Sequence, residues 1–244
     1  MRYYYDMHLH SCLSPCGDRD MTPYNLVNMA ALNELDIIAL TDHNSSKNCP
    51  AALEVAKRVG ITLICGMELC TDEEIHVVCL FPSLEKAMDF DEYVSSKLLP
   101  VKNKPEVFGE QLILNEQDEV VGHEETLLIT AANISVENVV SLTEKLGGAA
   151  YPAHIDKSSY SILSSLGSIP AECDFKAAEI SARGDVASLR EKHEILRSVP
   201  LILSSDAHYL EDINPRRAWL ELSEPSAEAV IEALRGKCRG FGRG

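Results

Sequence analysis

The pair His8-Leu9-His10 comes directly after the aromatic run Tyr3-Tyr4-Tyr5. Side chains two apart on a strand share a face. Two imidazoles therefore project side by side from the end of a short strand, as a divalent metal ion requires. Other positions extend the pattern. Asp42-His43 follows the apolar run 36–41, and Glu68 follows a run ending at Cys65-Gly66. His76 sits in the run 75–80, and His154 follows Tyr151-Pro152-Ala153. Asp206 and His208 come as Ser-Asp-Ala-His after Leu201–Ser204. One histidine after a strand is ordinarily a satisfied polar residue. Six of the eight histidines in such positions form a set that chance does not produce. His123, in a polar stretch, and His193, on a charged helical face, read as solvated and are given no role.

The elements that would carry these residues alternate between two periods. Apolar strand-like runs lie at 36–41, 61–65, 75–80, 148–151, 177–180 and 201–204. Short, continuously apolar strands are what a parallel sheet buried on both faces needs. Helical patterns fit between them. Thr22 is positioned to cap a helix with Pro23 at its first position. Residues 50–59 stop at Gly60, residues 136–146 follow Ser135, residues 186–197 follow Asp185, and residues 225–234 form the last helix. This alternation predicts an α/β fold with a barrel, whose active site lies just beyond the strands' carboxyl ends. Residues 83–132 break the rhythm. They are polar, carry a hairpin-like unit around Asn115–Asp118, and read either as an insertion covering the barrel mouth or as a plain surface excursion.

Acidic residues outnumber basic ones 38 to 22, a net charge of -16. Such a field repels a phosphate backbone, so duplex nucleic acid is not the expected partner and a small phosphorylated or anionic substrate is. No apolar run is long enough to span a bilayer, and the first residues lack the pattern of a secretory leader. The cytoplasm is the expected compartment, with no membrane partner. The eight cysteines contain no C-x-x-C pair and are expected to be reduced. Cys65 and Cys79 read as core. Cys12 and Cys16, beside the histidine pair, read as small loop residues, with metal ligation left open.

The strings Asp-Met-His-Leu-His, Leu-Thr-Asp-His, Gly-Met-Glu-Leu, Pro-Ala-His and Ser-Asp-Ala-His, in this order, resemble the PHP (polymerase and histidinol phosphatase) family. The resemblance runs from residue 6 to residue 208 and passes over the insertion. It implies a distorted (β/α)7 TIM-like barrel, one domain over residues 1–244, with up to three metal ions at its mouth. By that analogy His8, His10, Glu68 and Asp206 hold the first metal. Glu68 bridges to a second held by His76 and His154, while Asp18, His43 and His208 hold the third. Asp20 competes with Asp18 for that role. Imidazole with carboxylate suits two or three zinc, iron or manganese ions.

The chemistry implied is a phosphoesterase reaction on a small phosphomonoester or short nucleotide, with a metal-bridging hydroxide at a trinuclear site. Glu68, Asp206 and His208 are expected at the reacting centre. The leaving oxygen's proton would come from His208, Asp206 or water. Around them, Asp6 and Asp42 are placed to accept an imidazole N–H. Glu179 would face the metals or hold a water, and Arg183 and Lys157 would meet phosphate oxygens. Two other readings stand: an amidohydrolase-like hydrolase of a C–N or ester bond, and a non-catalytic metal-binding module. The oligomeric state is not legible.

Overall fold

The computed structural model describes residues 1–237 and 240–243, so Cys238 lies outside the described residues. The chain opens with β1 (Arg2–Leu9), α1 (Pro23–Leu32), β2 (Ile37–Leu40), α2 (Cys49–Val59) and β3 (Thr62–Cys70). Next come β4 (His76–Phe81), α3 (Leu84–Ser95), α4 (Pro105–Phe108), β5 (Leu112–Leu114) and β6 (Val120–His123). Then follow α5 (Val136–Lys145), β7 (Ala149–Pro152), α6 (Ile162–Leu166), β8 (Ala178–Ile180) and α7 (Val186–Lys192). The chain closes with β9 (Leu201–Leu203), β10 (Ala218–Glu221), α8 (Ala227–Glu232) and β11 (Phe241–Arg243).

One curled sheet has the order β11-β10-β1-β2-β3-β4-β7, and β8 pairs with β9. Two contacts join these sheets. Ile155 N donates to Glu179 O at 2.9 Å just beyond β7, and Leu9 forms a parallel bridge with Ala207 just beyond β9. The circuit β1-β2-β3-β4-β7-β8-β9 thus returns to β1. This is a distorted TIM-like barrel, with β10 and β11 added outside the circuit.

Local chemistry explains most of the elements. Thr22 Oγ1 accepts from Asn25 N at 3.1 Å and Pro23 begins α1, a cap contributing about 1 kcal/mol. Gly60 ends α2 in the left-handed region at φ 85°. At α5 the expected cap works differently. Ser135 makes no capping bond of its own, and Glu73 accepts from Val136 N at 2.9 Å instead. The helix expected over 186–197 is shorter, because His193 takes an extended conformation and residues 194–197 continue as a single 3-10 turn. The expected hairpin forms as β5 and β6.

The strand directions depart from an all-parallel sheet. β1, β2 and β3 are parallel, but β4 runs antiparallel to both β3 and β7. Only residues 71–75 link β3 to β4, far fewer than the dozen or so a parallel crossover needs. This reversal also corrects the expected place of Glu68. β3 does not stop at Cys65-Gly66 but runs on to Cys70 against β4, so Glu68 lies inside the strand, opposite Val78. His76, first in β4, therefore lands at the same end of the barrel as residues that follow the other strands.

Both faces of β1 are buried. Tyr5, Met7 and Leu9 join the main apolar core, and the alternating Asp6, His8 and His10 are buried polar groups. Cys65 and Cys79 are buried in the same core. The segment 83–132 divides in two. α3 packs on the barrel through Ala87, Phe90 and Val94. The rest lies against the loops after β1 and β2: Leu112 N donates to Cys12 O at 3.0 Å, and Asn44 Nδ2 donates to Leu128 O and Thr130 O at 2.7 and 2.9 Å.

Candidate metal centre

Glu68 is the hub of the site and is buried. Its Oε1 lies 3.2 Å from His8 Nε2, 2.9 Å from His76 Nδ1 and 3.1 Å from His154 Nε2. Its Oε2 lies 3.0 Å from His43 Nδ1 and 3.4 Å from His10 Nε2. Asp206 Oδ1 closes one side, 3.4 Å from His8 Nε2 and 3.2 Å from His10 Nε2. His8 and His10 face each other through Nε2 atoms 3.1 Å apart.

These separations fit a metal. Ligands about 2.0–2.1 Å from zinc stand roughly 2.9–3.4 Å apart at octahedral or tetrahedral angles. The edges among His8, His10, Glu68 and Asp206 span 3.1–3.4 Å. Glu68 Oε2 and His43 Nδ1 are buried and make no hydrogen bond of acceptable geometry. Leaving such atoms unpaired costs about 1–3 kcal/mol each, and a cation between them removes that cost. Three groups among the described residues bring their ligand atoms within 4.8 Å of one another: His8/His10/Glu68/Asp206, His43/Glu68/His76, and His10/His43/His208.

Charge follows the same geometry. Burial disfavours a charged His8, but the carboxylates of Glu179, Glu68 and Asp206 overcome it and hold its pKa well above the ordinary value. Burial, with His208 and His43 as neighbours, drives His10 well below its own. Burial would raise Glu68 and Asp206, yet His76 and His8 pull Glu68, and His8 and His10 pull Asp206, well below the usual carboxylate range. Burial would lower His43, but Cys16 and Glu68 lift it to about 10.

A second layer fixes the ligands. Glu179, from β8, holds His8 Nδ1 with both carboxylate oxygens at 3.0 Å and accepts from His154 N at 3.1 Å. It sets the tautomer that leaves His8 Nε2 free for a metal. His10 Nδ1 meets Ser14 Oγ at 2.9 Å, which donates to Asp42 Oδ1 at 2.7 Å. Asp42 thus reaches an imidazole only through Ser14. Asp6 reaches none and accepts from Ser205 N and Asn214 N at 3.0 and 3.2 Å, which anchors the loop carrying Asp206 and His208. Asp206 and His154 hold left-handed backbones, φ 55° and 29°, and such strain persists only where surrounding contacts enforce it.

The remaining expected residues fall as follows. Lys157 pairs with Asp206 Oδ2 at the rim. Arg183 is exposed on the turn after β8, and Asp185 caps Ser188 N rather than pairing with it. Asp18 Oδ1 accepts from Asp20 N at 2.8 Å, and Asp20 is exposed. Neither carboxylate joins the three groups. Cys16 does not join them either; burial would raise its thiol, but the influence of His208 and His43 brings it down to about 6. His123 is exposed and His193 half-buried, both apart from the cluster. Two participants carry no local sequence signal: Ser14, and Tyr160, whose ring stacks on His76 at 4.7 Å while 47% exposed.

A family model for the PHP domain matches residues 6–221. The chain belongs to the PHP domain family. A 5'-3' exoribonuclease of Haemophilus influenzae is 39% identical over 79 residues, which is 31% of this PHP chain and 28% of that protein. The solved lesion-specific endonuclease PfuEndoQ from Pyrococcus furiosus has this fold, with a TM-score of 0.71 and 19% identity over 100% of this chain and 58% of its own. A Bifidobacterium adolescentis protein assigned as a metal-dependent phosphoesterase gives 0.60 and 19%, over 94% of this chain and 95% of its own. The PHP chain spans well under two thirds of the exoribonuclease and of PfuEndoQ. The donor set of this PHP chain is one that could hold divalent metal ions.

One expectation is overturned. Net charge was expected to disfavour duplex nucleic acid. Endonuclease Q, of the same fold at a TM-score of 0.65 and 19% identity over 97% of this chain and 57% of its own, is solved with a 27-mer duplex whose abasic lesion lies at the active site. Net charge sums over the whole surface. Screening limits its reach to about 8 Å at physiological ionic strength, so the groups at a PHP mouth, bound cations included, decide what approaches. No helix among the described residues is long and apolar enough to cross a membrane.

Proposed function

We propose that this chain is a phosphoesterase that hydrolyses a phosphoester of a nucleotide or a nucleic-acid strand, using two to three divalent transition metals at the Glu68 cluster. The observation that carries the reading is the convergence of five imidazoles on the two oxygens of Glu68. A carboxylate met on both oxygens by nitrogens from different strands is built to bridge metal positions. When bound, the metals supply Lewis acidity toward phosphoryl oxygens and a lowered pKa for water.

The chain's own residues do the rest. His8, His10 and Asp206 hold one position, and His76, His154 and His43 surround the next. Glu179 and the Ser14–Asp42 pair keep the rings aimed. Lys157 is only partly buried, and Asp206 raises its pKa, so it stays cationic and can meet a phosphoryl oxygen at the rim. The half-exposed ring of Tyr160 offers a surface on which a base can stack, an interaction of about 1–3 kcal/mol. Residues 97–131, held against the loops of Cys12 and Asn44, wall one side of the mouth.

The similarity to an exoribonuclease, and to endonucleases of this fold, supports nucleic acid as the substrate class. The test is a panel of 5'-phosphorylated RNA and DNA oligonucleotides, mononucleotides, a simple aryl phosphate and amides, each assayed with manganese, iron or zinc. Metal-stimulated cleavage of a phosphoester is expected. Turnover of amides alone would replace this reading with the amidohydrolase-like one.

A further inference from the structure

Two buried asparagines tie the segment after α3 to the metal centre. Asn44 follows His43 and holds a left-handed backbone at φ 50°, a conformation asparagine tolerates. Its backbone N donates to Glu68 O at 2.9 Å, and its Oδ1 accepts from Cys70 N at 2.8 Å. Its Nδ2 donates to Leu128 O and Thr130 O at 2.7 and 2.9 Å. One residue thus joins the loop of His43, the strand of Glu68 and one end of the 97–131 segment. Asn48 makes the matching connection further back in that segment. Its Oδ1 accepts from Leu114 N at 3.0 Å, and its Nδ2 donates to Leu112 O at 3.1 Å and to Ser11 Oγ at 2.9 Å.

From Ser11 the bonds continue into the ligands. Ser11 Oγ donates to Asp42 Oδ2 and Ser11 N to Asp42 Oδ1, both at 2.7 Å. Asp42 Oδ1 also accepts from Ser14 Oγ, which meets His10 Nδ1 at 2.9 Å. A continuous path therefore runs from β5 through Asn48, Ser11, Asp42 and Ser14 to His10. Both asparagines are buried, and each engages its carbonyl oxygen and both amide hydrogens. The backbone donors at Cys70 and Leu114 fix which end of each carboxamide is the oxygen. Swinging the segment away as a lid would strip these groups of their partners, and buried polar atoms without partners carry their full desolvation cost. Gln111, equally buried, stiffens the segment from within: its Oε1 accepts from Leu128 N at 2.9 Å, and its Nε2 donates to Glu124 O and Thr126 O, both at 2.7 Å. Gly109 packs on the loop after β1 so closely that a Cβ would lie 2.2 Å from Pro15 O.

We propose that residues 97–131 are a fixed brace of the metal centre rather than a lid or a plain surface excursion, with Asn44 and Asn48 as the positioning residues that hold His43 and His10 for the metals. This rests on the metal-centre reading above and extends it to the segment that reading leaves without a role in the centre. Neither asparagine is a ligand. Asn44 acts through the backbone of His43 and Glu68, and Asn48 acts through Ser11 and Asp42. The coupling is reciprocal by linkage: a segment that keeps the ligands in place is itself steadied when those ligands hold a metal. A surface excursion would add stability to the chain without altering how tightly a metal binds.

Zinc affinity, read by competition with a chromophoric chelator, separates positioning from stability, read as the thermal midpoint of the metal-free chain. Asn48→Ala cuts the links to Ser11, Leu112 and Leu114. Asn44→Gly removes the side-chain bonds to Cys70, Leu128 and Thr130 while suiting the left-handed backbone. Each should weaken zinc binding by about 10-fold, the lower end of what the partners of metal ligands contribute, because each acts one step further from the ligand. Val230→Ala, a core truncation under α8, should lower the midpoint and leave zinc affinity unchanged. Wild type provides a readout free of substitution. Hydrogen exchange followed by mass spectrometry should show zinc slowing exchange in peptides covering residues 111–114 and 126–130, and not at the hairpin tip, residues 115–119. Native zinc affinity in either asparagine variant, folded by circular dichroism, would overturn the brace and leave the metal centre standing. Affinity lost to the same extent in Val230→Ala, or exchange at 111–114 and 126–130 that zinc does not change, would do the same. A wild-type chain that binds no zinc would overturn both.

Discussion

Glu179→Gln isolates the contribution of the layer behind the metal ligands. The substitution keeps shape and volume but leaves one acceptor oxygen where there were two. In the native chain both oxygens lie 3.0 Å from His8 Nδ1, and Oε1 also accepts from His154 N at 3.1 Å. The new amide NH2 must face one of these two N–H donors, so one bond is replaced by a donor–donor contact. A hydrogen bond to a charged group contributes about 1.5–3 kcal/mol. Orienting partners of metal ligands are worth about 10–100-fold in metal affinity, or roughly 1.4–2.7 kcal/mol. The two estimates agree. Zinc affinity, measured by competition with a chromophoric chelator at constant pH, should therefore fall by about 10–100-fold. Circular dichroism should remain native, because Glu179 is a single buried side chain in a short strand. Unchanged affinity in a folded Glu179→Gln protein would refute the claim that this carboxylate aims His8 at a metal.

Other expectations follow from the same geometry. Ser14→Ala removes the hydroxyl that joins His10 Nδ1, Asp42 and the backbone of His43; zinc affinity in the same competition assay should fall by about 10-fold or more. Metal affinity should rise with pH from acid toward about 10, because Cys16 and Glu68 hold His43 protonated up to that value and binding must displace its proton; isothermal titration at several pH values in buffers of different ionisation heat would count the protons released. In the metal-free chain the histidine-paired Glu68 and Asp206 sit below their ordinary 4.5 and 3.8. The stability they contribute is present above those values and lost as pH falls through the folded ones, so urea midpoints should drop on acidification below about 4.5. Phe90→Ala, which empties a core position under α3, should cost about 3–5 kcal/mol and lower the thermal midpoint without changing the metal count of the protein that remains folded.

The sequence makes the ligands more legible than their surroundings, and the reason is physical. A metal ligand must be one of few residue types, and strand ends mark where it lies, so His8, His10, His43, His154, Asp206 and His208 stand out against apolar runs. Strand direction is less visible. The run 75–80 reads alike in parallel or antiparallel form, and only the five-residue link from β3 shows that it must turn back. β10 was missed because Ala218-Trp219-Leu220-Glu221 is short and follows a charged pair, and its place is set by pairing with Arg2–Tyr4. The second layer was half legible. Glu179 ends an apolar run, as an orienting carboxylate can. Ser14 meets His10, Asp42 and the backbone of His43 only because the loop after β1 folds back on them, and no local spacing encodes that.

The central claim is that Glu68 bridges metal positions ringed by histidines from different strands. Crystals of the metal-loaded chain, with diffraction recorded on both sides of the zinc, iron and manganese absorption edges, test it most directly. Anomalous peaks are expected on either side of the Glu68 carboxylate, each within about 2.0–2.2 Å of a Glu68 oxygen and of the nitrogens that face it. A fully loaded crystal with anomalous peaks elsewhere and none beside Glu68 would contradict the account.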